Sequence, residues 1–258
     1  MSRKEVLVTG ATGIVGTGLL RELSRRPYAV TVLIRNKKDA SRLRRRGLRV
    51  ILGDITKADS LAHLRSHFDI VFHLAAAKRM FEKNHELEHN NINGLKNVLE
   101  VFCSSGKETL FVFASSIDAR VRNSDYARTK LMGEKIVKSF VQKHPWTKFI
   151  NVRIGNVNFS NLDGHQGWRG SLLYHELGNK NLYPVKLERL SKKMVDLIQK
   201  AKLFGKTIEI FDRKVRVADL IKKPPTKQKF GHLILSIWSF FGKLTKRADL
   251  LVYLQSEK

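Results

Sequence analysis

Residues 5–16, Glu-Val-Leu-Val-Thr-Gly-Ala-Thr-Gly-Ile-Val-Gly, constrain this chain more than any other stretch. A short apolar run at residues 6–8 ends in Gly10, Gly13 and Gly16, and an amphipathic segment begins at Ile14. Strand, glycine turn and helix start, in that order, make a cradle for a pyrophosphate. The unpaired N–H groups and partial positive charge of a helix N-terminus point at the ligand. The three glycines divide the work: a tight turn, close approach of backbone to phosphate, and close packing of helix on strand. The spacing is G-x-x-G-x-x-G, and its place between strand and helix reads as a nucleotide-binding turn.

The alternation continues along the chain. Strand-like runs at residues 30–34, 48–52, 70–74, 110–113 and 148–152 alternate with helix-like segments at 14–23, 37–46, 60–65, 87–102 and 124–141. A β-branched run such as 30–34 suits a strand buried on both faces. The pattern predicts an α/β fold, a Rossmann-type doubly wound parallel sheet, over residues 1–157. Its ligand would lie across the strands' carboxyl ends at the switch point. Beyond 157 the pattern loosens into a loop-like stretch at 158–170, a helix at 190–203, a strand at 207–211 and a helical turn or two at 215–221. A small substrate-binding region is expected over residues 158–223. A basic amphipathic tail follows over 224–258, after Pro224-Pro225.

Composition narrows the partners. A net charge of +26 implies attraction to polyanions. The cations are spread along the chain with one cluster, Arg42-Leu43-Arg44-Arg45-Arg46, and no zinc-finger or RNA-binding aromatic signature accompanies them. Nucleic acid is therefore not the expected partner. Cys103 is the only cysteine, which excludes an internal disulfide and a cysteine-built zinc site and fits a reducing cytosol. His85 and His89 share a helical face without a third ligand nearby in sequence, so no metal site is expected. Met1-Ser2-Arg3-Lys4 does not open a signal peptide, so a cytoplasmic protein is expected. In the tail, a helix would put His232, Ser236, Ser239 and Lys243 on a narrow polar stripe, with Leu235, Trp238, Phe240 and Phe241 filling the rest. Its apolar core is shorter than the ~20 residues a bilayer span needs. It would dock within the protein or lie peripherally on an anionic membrane.

Chemistry is carried by Tyr126-Ala-Arg-Thr-Lys130. On a helix, positions four apart share a face, so the ammonium can sit near the phenol. A nearby cation favours phenolate, and Tyr126 can then exchange a proton at a carbonyl or alcohol carbon. Ser115-Ser116 follows the fifth strand, where a hydroxyl can polarise a substrate oxygen or merely cap a turn.

These motifs resemble the short-chain dehydrogenase/reductase family, nearest its extended and atypical branches, which include nucleotide-sugar epimerases and hydroxysteroid dehydrogenases. The resemblance is carried by Thr9-Gly-Ala-Thr-Gly-Ile-Val-Gly16, Gly53-Asp54, His73-Leu-Ala-Ala76, Asn91-Ile-Asn-Gly94, Phe111-Val-Phe-Ala-Ser-Ser116, Tyr126-x-x-x-Lys130 and Arg153-Ile-Gly-Asn-Val157, in the family's order over residues 4–157. It implies that the dinucleotide meets Gly10, Thr12, Gly13, Ile14, Val15 and Gly16. Asp54, with Ile55, would face the adenine, and Leu74, Ala75 and Ala76 would line the cofactor. The backbone near Val157 would meet the carboxamide. Asn91 would buttress the site, Ser116 would polarise the substrate, and Tyr126 would be the acid/base. Lys130 would hold the nicotinamide ribose and tune the tyrosine. The second strand ends in Ile34-Arg35-Asn36-Lys37-Lys38, with no acid to bind a ribose 2′-hydroxyl. Arg35 can grip a 2′-phosphate, so NADP is expected ahead of NAD.

The resemblance implies an NAD(P)-dependent oxidoreductase or sugar epimerase acting on a small molecule, a nucleotide sugar or a lipid-like alcohol, and homodimers are common in that family. Two departures keep an alternative open. Only nine residues separate Ser116 from Tyr126, and the stretch after the sixth strand reads Asn156-Val-Asn-Phe-Ser160. The first looks more like atypical members, some of which hold nucleotide without turnover. The alternative is a non-catalytic NADP(H)-binding scaffold or redox sensor in a larger or membrane-associated assembly.

Overall fold

A computed structural model describes residues 3–64, 66–77, 87–121, 124–157 and 181–216. His85, the loop-like stretch at 158–170 and the tail at 224–258 lie outside the described residues. The chain divides into two compact units, Met1–Ile154 with Lys186–Ile210, and Gly155–Val185 with Phe211–Lys258.

The first unit alternates strand and helix from its start. It runs β1 (Lys4–Thr9), α1 (Ile14–Leu23), β2 (Tyr28–Ile34), α2 (Ala40–Arg45), β3 (Arg49–Leu52), α3 (Ala58–Ala62), β4 (Ile70–His73), α4 (Gly94–Cys103), β5 (Thr109–Ser116), α5 (Asp125–Lys143) and β6 (Thr147–Ile154). In the second unit, β7 (Asn156–Val157) pairs with β9 (Pro184–Val185), and β8 (Asn181–Leu182) pairs with β11 (Val215–Arg216). The first unit resumes with α6 (Leu187–Asp196) and β10 (Lys206–Ile210).

The seven strands of the first unit form one parallel sheet in the order β10-β6-β5-β4-β1-β2-β3. The chain moves outward from β1 to β3, then crosses to β4 on the other side of β1. The turn after β1 therefore sits at the switch point, where an open parallel sheet offers its ligand crevice. Central strands are buried throughout: all eight residues of β5 and all four of β4 lie inside. One core joins Leu7, Val71, Phe111 and Phe113 of the sheet to Leu95, Val98 and Phe102 of α4 and Val137 of α5. Cys103 is buried in this core, which pushes its thiol pKa up and leaves it unreactive.

The elements differ from the sequence pattern where local polar chemistry intervenes. The expected helix at 37–46 starts as a 3₁₀ turn, Lys37–Asp39, because the Asn36 side chain accepts the Lys38 N–H at 3.0 Å. The expected helix at 87–102 contains a π turn, His89–Asn93, which carries Asn91 inward before α4 begins. Residues 206–210 join the main sheet beside β6, and α6 packs against α1 in the same unit, so residues 186–210 extend the first unit beyond 157. Val215 and Arg216 are not helical as expected but pair antiparallel with β8, where β-branched Val215 stands opposite Leu182. Among the described residues no helix is long and apolar enough to cross a membrane.

Candidate functional site

The turn after β1 separates the roles of its three glycines. Gly10 has φ 69°, and a Cβ there would fall 2.5 Å from the Ala75 backbone nitrogen. At Gly16 a Cβ would fall 2.2 Å from the Gly10 carbonyl oxygen. Both are demanded by the protein's own packing. At Gly13 the nearest atom would be 3.4 Å away, an ordinary contact, so nothing in the described residues requires glycine there. Gly13 is also the N-cap of α1, has no side chain to offer the first-turn N–H groups, and is followed by no acid in that turn. Thr12, Gly13 and Ile14 are exposed, and Val15 is half-buried. An open glycine beside an uncapped helix N-terminus fits a phosphate.

Beside this turn, β1 and β4 are fastened at their carboxyl ends. Thr9 and His73 are register partners, and Thr9 Oγ1 lies 2.9 Å from His73 Nδ1. The Ala75 N–H donates to the same hydroxyl at 3.3 Å, and the Leu74 N–H donates to the Thr9 carbonyl at 3.3 Å. His73 is enclosed between Phe111 and Phe113. Burial, aided by the charge of Lys130, lowers its pKa to about 3, so it stays neutral. Leu74 and Ala75 are half-buried and Ala76 is exposed. The chain beyond is held by Asn91: its Oδ1 accepts the Ala77 N–H at 2.8 Å, and its Nδ2 donates to Ala77 O at 3.2 Å and to Thr129 Oγ1 at 3.0 Å. Asn91 thus ties the segment after β4 to α5.

Across β2 and β3, Arg35 is exposed and Asp54 is half-buried. Burial is the largest influence on Asp54 and would raise its pKa. The N–H and hydroxyl of Thr56, at 3.0 and 2.8 Å from Oδ1, and the charges of Arg35 and Lys57 outweigh it and hold the carboxyl below its usual range. Ile55 is half-buried against Gly94 of α4, and its carbonyl accepts from Asn97 Nδ2 at 2.8 Å.

The third part rides on α5. Ser124 caps its start by accepting the Ala127 N–H at 3.1 Å. Tyr126 is half-buried one turn before Lys130, which is only 4% exposed. Lys130 Nζ donates to the Ala114 carbonyl at 2.7 Å and stands 5.1 Å from the Phe113 ring centre and 5.6 Å from that of Tyr126. Gly133 lets the helix lie this close, since a Cβ there would meet Phe113 Cζ at 2.5 Å. The two serines at the end of β5 separate. Ser115 donates to Glu134 Oε1 at 2.6 Å. Ser116 donates to Asp118 Oδ2 at 3.1 Å and accepts the Asp118 N–H at 3.2 Å, capping the 3₁₀ turn Ile117–Arg120.

The first unit therefore brings Ser116, Lys130 and Tyr126 to the end of β5, with Asn91 behind them and the glycine turn at the end of β1. Val157 lies on β7 of the second unit. Residue reading missed Thr9, Asp118, Thr129 and Glu134. Asp118, two residues after Ser116, carried a cap signature. Glu134 carried helical spacing from Lys130. Thr9 becomes legible only once its register with His73 is known.

Residues 6–159 match the model of the NAD dependent epimerase/dehydratase family. The chain is 31% identical over 121 residues to UDP-N-acetyl-alpha-D-glucosaminuronate decarboxylase of Bacillus cytotoxicus, covering 45% of this chain and 38% of that one. It is 32% identical over 226 residues to UDP-glucuronate 4-epimerase 1 of Arabidopsis thaliana, covering 74% and 50%. The chain thus spans at most half the length of these two relatives. Pen from Bacillus thuringiensis shares the fold, with a TM-score of 0.70 at 24% identity over 86% of this chain and 72% of that one.

Proposed function

Because this chain belongs to the NAD-dependent epimerase/dehydratase family, we propose that it binds a nicotinamide dinucleotide and catalyses oxidation and reduction at an oxygen-bearing carbon of a nucleotide sugar. When bound, the nicotinamide supplies a hydride acceptor and donor. The chain's residues supply the rest. The uncapped start of α1 and the open face of Gly13 receive the pyrophosphate. Asp54 faces the adenine, Arg35 takes a ribose 2′-phosphate, and NADP is accordingly preferred over NAD. Tyr126 takes or returns the proton of the reacting oxygen, with Lys130 favouring its phenolate. Ser116 turns from Asp118 to polarise that oxygen.

One observation carries this reading. Lys130, buried, is bound to the Ala114 carbonyl 2.7 Å away, two residues before Ser116, with its ammonium 5.6 Å from the Tyr126 ring centre. A cation buried at that place has little structural reason to be a lysine unless its charge is used. Fluorescence titration with NADPH and NADH, followed by turnover of UDP-glucuronate as the probe substrate, tests it. Tight NADPH binding and turnover reduced at least about 100-fold by Tyr126→Phe are expected; turnover that survives Tyr126→Phe would remove the acid/base assignment.

The Ser116–Asp118 bond favours a second reading, a nucleotide-holding scaffold in a larger assembly, because it occupies the hydroxyl the chemistry needs. Nucleotide binding with no turnover of any sugar nucleotide is its signature. In either reading the basic tail is proposed to contact an anionic membrane surface peripherally.

A further inference from the structure

Glu134 lies one turn beyond Lys130 on α5, the spacing at which a carboxylate and an ammonium ordinarily pair on a helix. It has a different partner. Arg153 of β6 donates from Nε to Glu134 Oε1 and from Nη2 to Oε2, each at 2.9 Å, a two-bond fork. Ser115, the register partner of Arg153 on β5, donates to Oε1 at 2.6 Å. Behind the fork, Glu209 of β10 is the register partner of Arg153 on its other side, 3.7 Å from Nη1, and accepts from Arg120 at 3.2 Å. Glu134 is buried, and loss of Arg153 would leave its carboxylate without that compensating charge. On α5 two cations stand one turn from Glu134, exposed Lys138 and Lys130, and Lys130 is the buried one.

We propose that Arg153 is a positioning residue: by holding Glu134 in the fork it keeps this carboxylate from neutralising Lys130, so that the Lys130 cation acts on the Tyr126 hydroxyl. The inference rests on the Tyr126–Lys130 reading above and deepens it. The Glu134–Arg153 fork is neutral as a unit and leaves the field at the phenol to Lys130. A carboxylate moved onto Lys130 would cancel that field and favour the protonated phenol. Among the described residues, neighbouring elements also bring Asp118 and Arg120 after β5, His73 of β4 and Glu209 of β10 to this part of the unit, and none of these belongs to α5.

The test is an ultraviolet titration of tyrosinate. Each protein is compared with its own Tyr126→Phe version, so the difference isolates Tyr126 among the five tyrosines. Arg153→Met is expected to raise the Tyr126 midpoint by about one pH unit, a tenfold loss of phenolate at fixed pH. Glu134→Gln is expected to leave the midpoint at or below that of the parent chain, because the competing carboxylate is gone. The double variant E134Q/R153M is expected to regain the midpoint that Arg153→Met loses. A fork that only braces the helix predicts a different order, with Glu134→Gln as impaired as Arg153→Met and the double variant no better. That order, or one midpoint shared by all the proteins, overturns the proposal. Should Arg153→Met fail to fold, Arg153→Gln, which offers Glu134 neither the charge nor the two-bond fork, is expected to raise the midpoint in the same direction. A parent chain whose Tyr126 titrates at the ordinary value of about 10 would instead sink the phenolate reading itself. A lowered parent midpoint that Arg153→Met leaves unmoved sinks only the assignment of Arg153.

Discussion

Arg35 and His73 show how much one side chain can decide. Arg35 stands exposed where β2 ends, and no acid follows it there. Arg35→Asp replaces a two-pronged phosphate donor with a charge that repels phosphate and accepts from a ribose hydroxyl. The ratio of NADPH to NADH affinity should fall at least about tenfold, ~1.4 kcal/mol, in a fluorescence titration; an unchanged ratio would remove the phosphate grip. His73 contributes to acid stability. Its pKa falls from the ordinary value to about 3 because burial first, and Lys130 second, disfavour the charged ring. Between pH 6.5 and about 3 the unfolded chain binds a proton there that the folded chain refuses. Stability from this residue is therefore full above the ordinary histidine pKa and is lost as pH falls through that window. The slope attributable to one such group approaches ~1.4 kcal/mol per pH unit. Urea midpoints measured from pH 7 down to pH 4 should fall less steeply for His73→Gln than for the parent chain, whatever the absolute cost of the substitution.

Among elements, the glycine turn makes the sharpest prediction. Gly16→Ala drives a Cβ to 2.2 Å from backbone, where nothing flexible can give way, and should destabilise the whole unit by several kcal/mol. Gly13→Ala meets only an ordinary 3.4 Å contact. It should melt within a few degrees of the parent, corresponding to less than about 1 kcal/mol, yet bind NADPH at least about tenfold more weakly, because the methyl fills the phosphate's approach. Equal NADPH affinity would show that the pyrophosphate lies elsewhere. This turn was legible in the sequence because its signal is local: strand, glycines and helix lie within twelve residues of one another. The parallel sheet was legible for the same reason, since each strand and crossover helix carries its own periodicity. The supports of the site were not. Asn91 reaches Ala77 and Thr129, and Glu134 reaches Ser115 and Arg153, across separations that only the strand order closes. Residues 207–211 read as a strand, but the place of Lys206–Ile210 beside β6 follows from sheet pairing rather than from any residue in the segment.

At the scale of the whole molecule, the charge balance cannot be hidden by pairing. With 49 Lys and Arg against 23 Asp and Glu, a net charge of +26 remains uncompensated even if every acid is paired. The excess attracts any anionic surface, and the attraction is screened over about 10 Å at 0.1 M salt. Overall charge and specific insertion make different forecasts for the tail. Residues 230–258 hold four lysines and arginines and two acids, so deleting them lowers the net charge by only two. If attraction were a matter of total charge, the truncated chain would bind phosphatidylglycerol vesicles almost as well as the full one, and both would release alike as salt rises. If Trp238, Phe240 and Phe241 enter the interface, burying their apolar area adds a contribution that salt does not screen, at roughly 25 cal/mol per Å². The expected outcome of vesicle co-sedimentation is at least about tenfold weaker binding after deletion, with a residue of salt-resistant binding confined to the full chain. Equal binding of the two chains at every salt concentration would assign the apolar stripe to packing within the protein or against a protein partner, and would leave only diffuse electrostatics at the membrane.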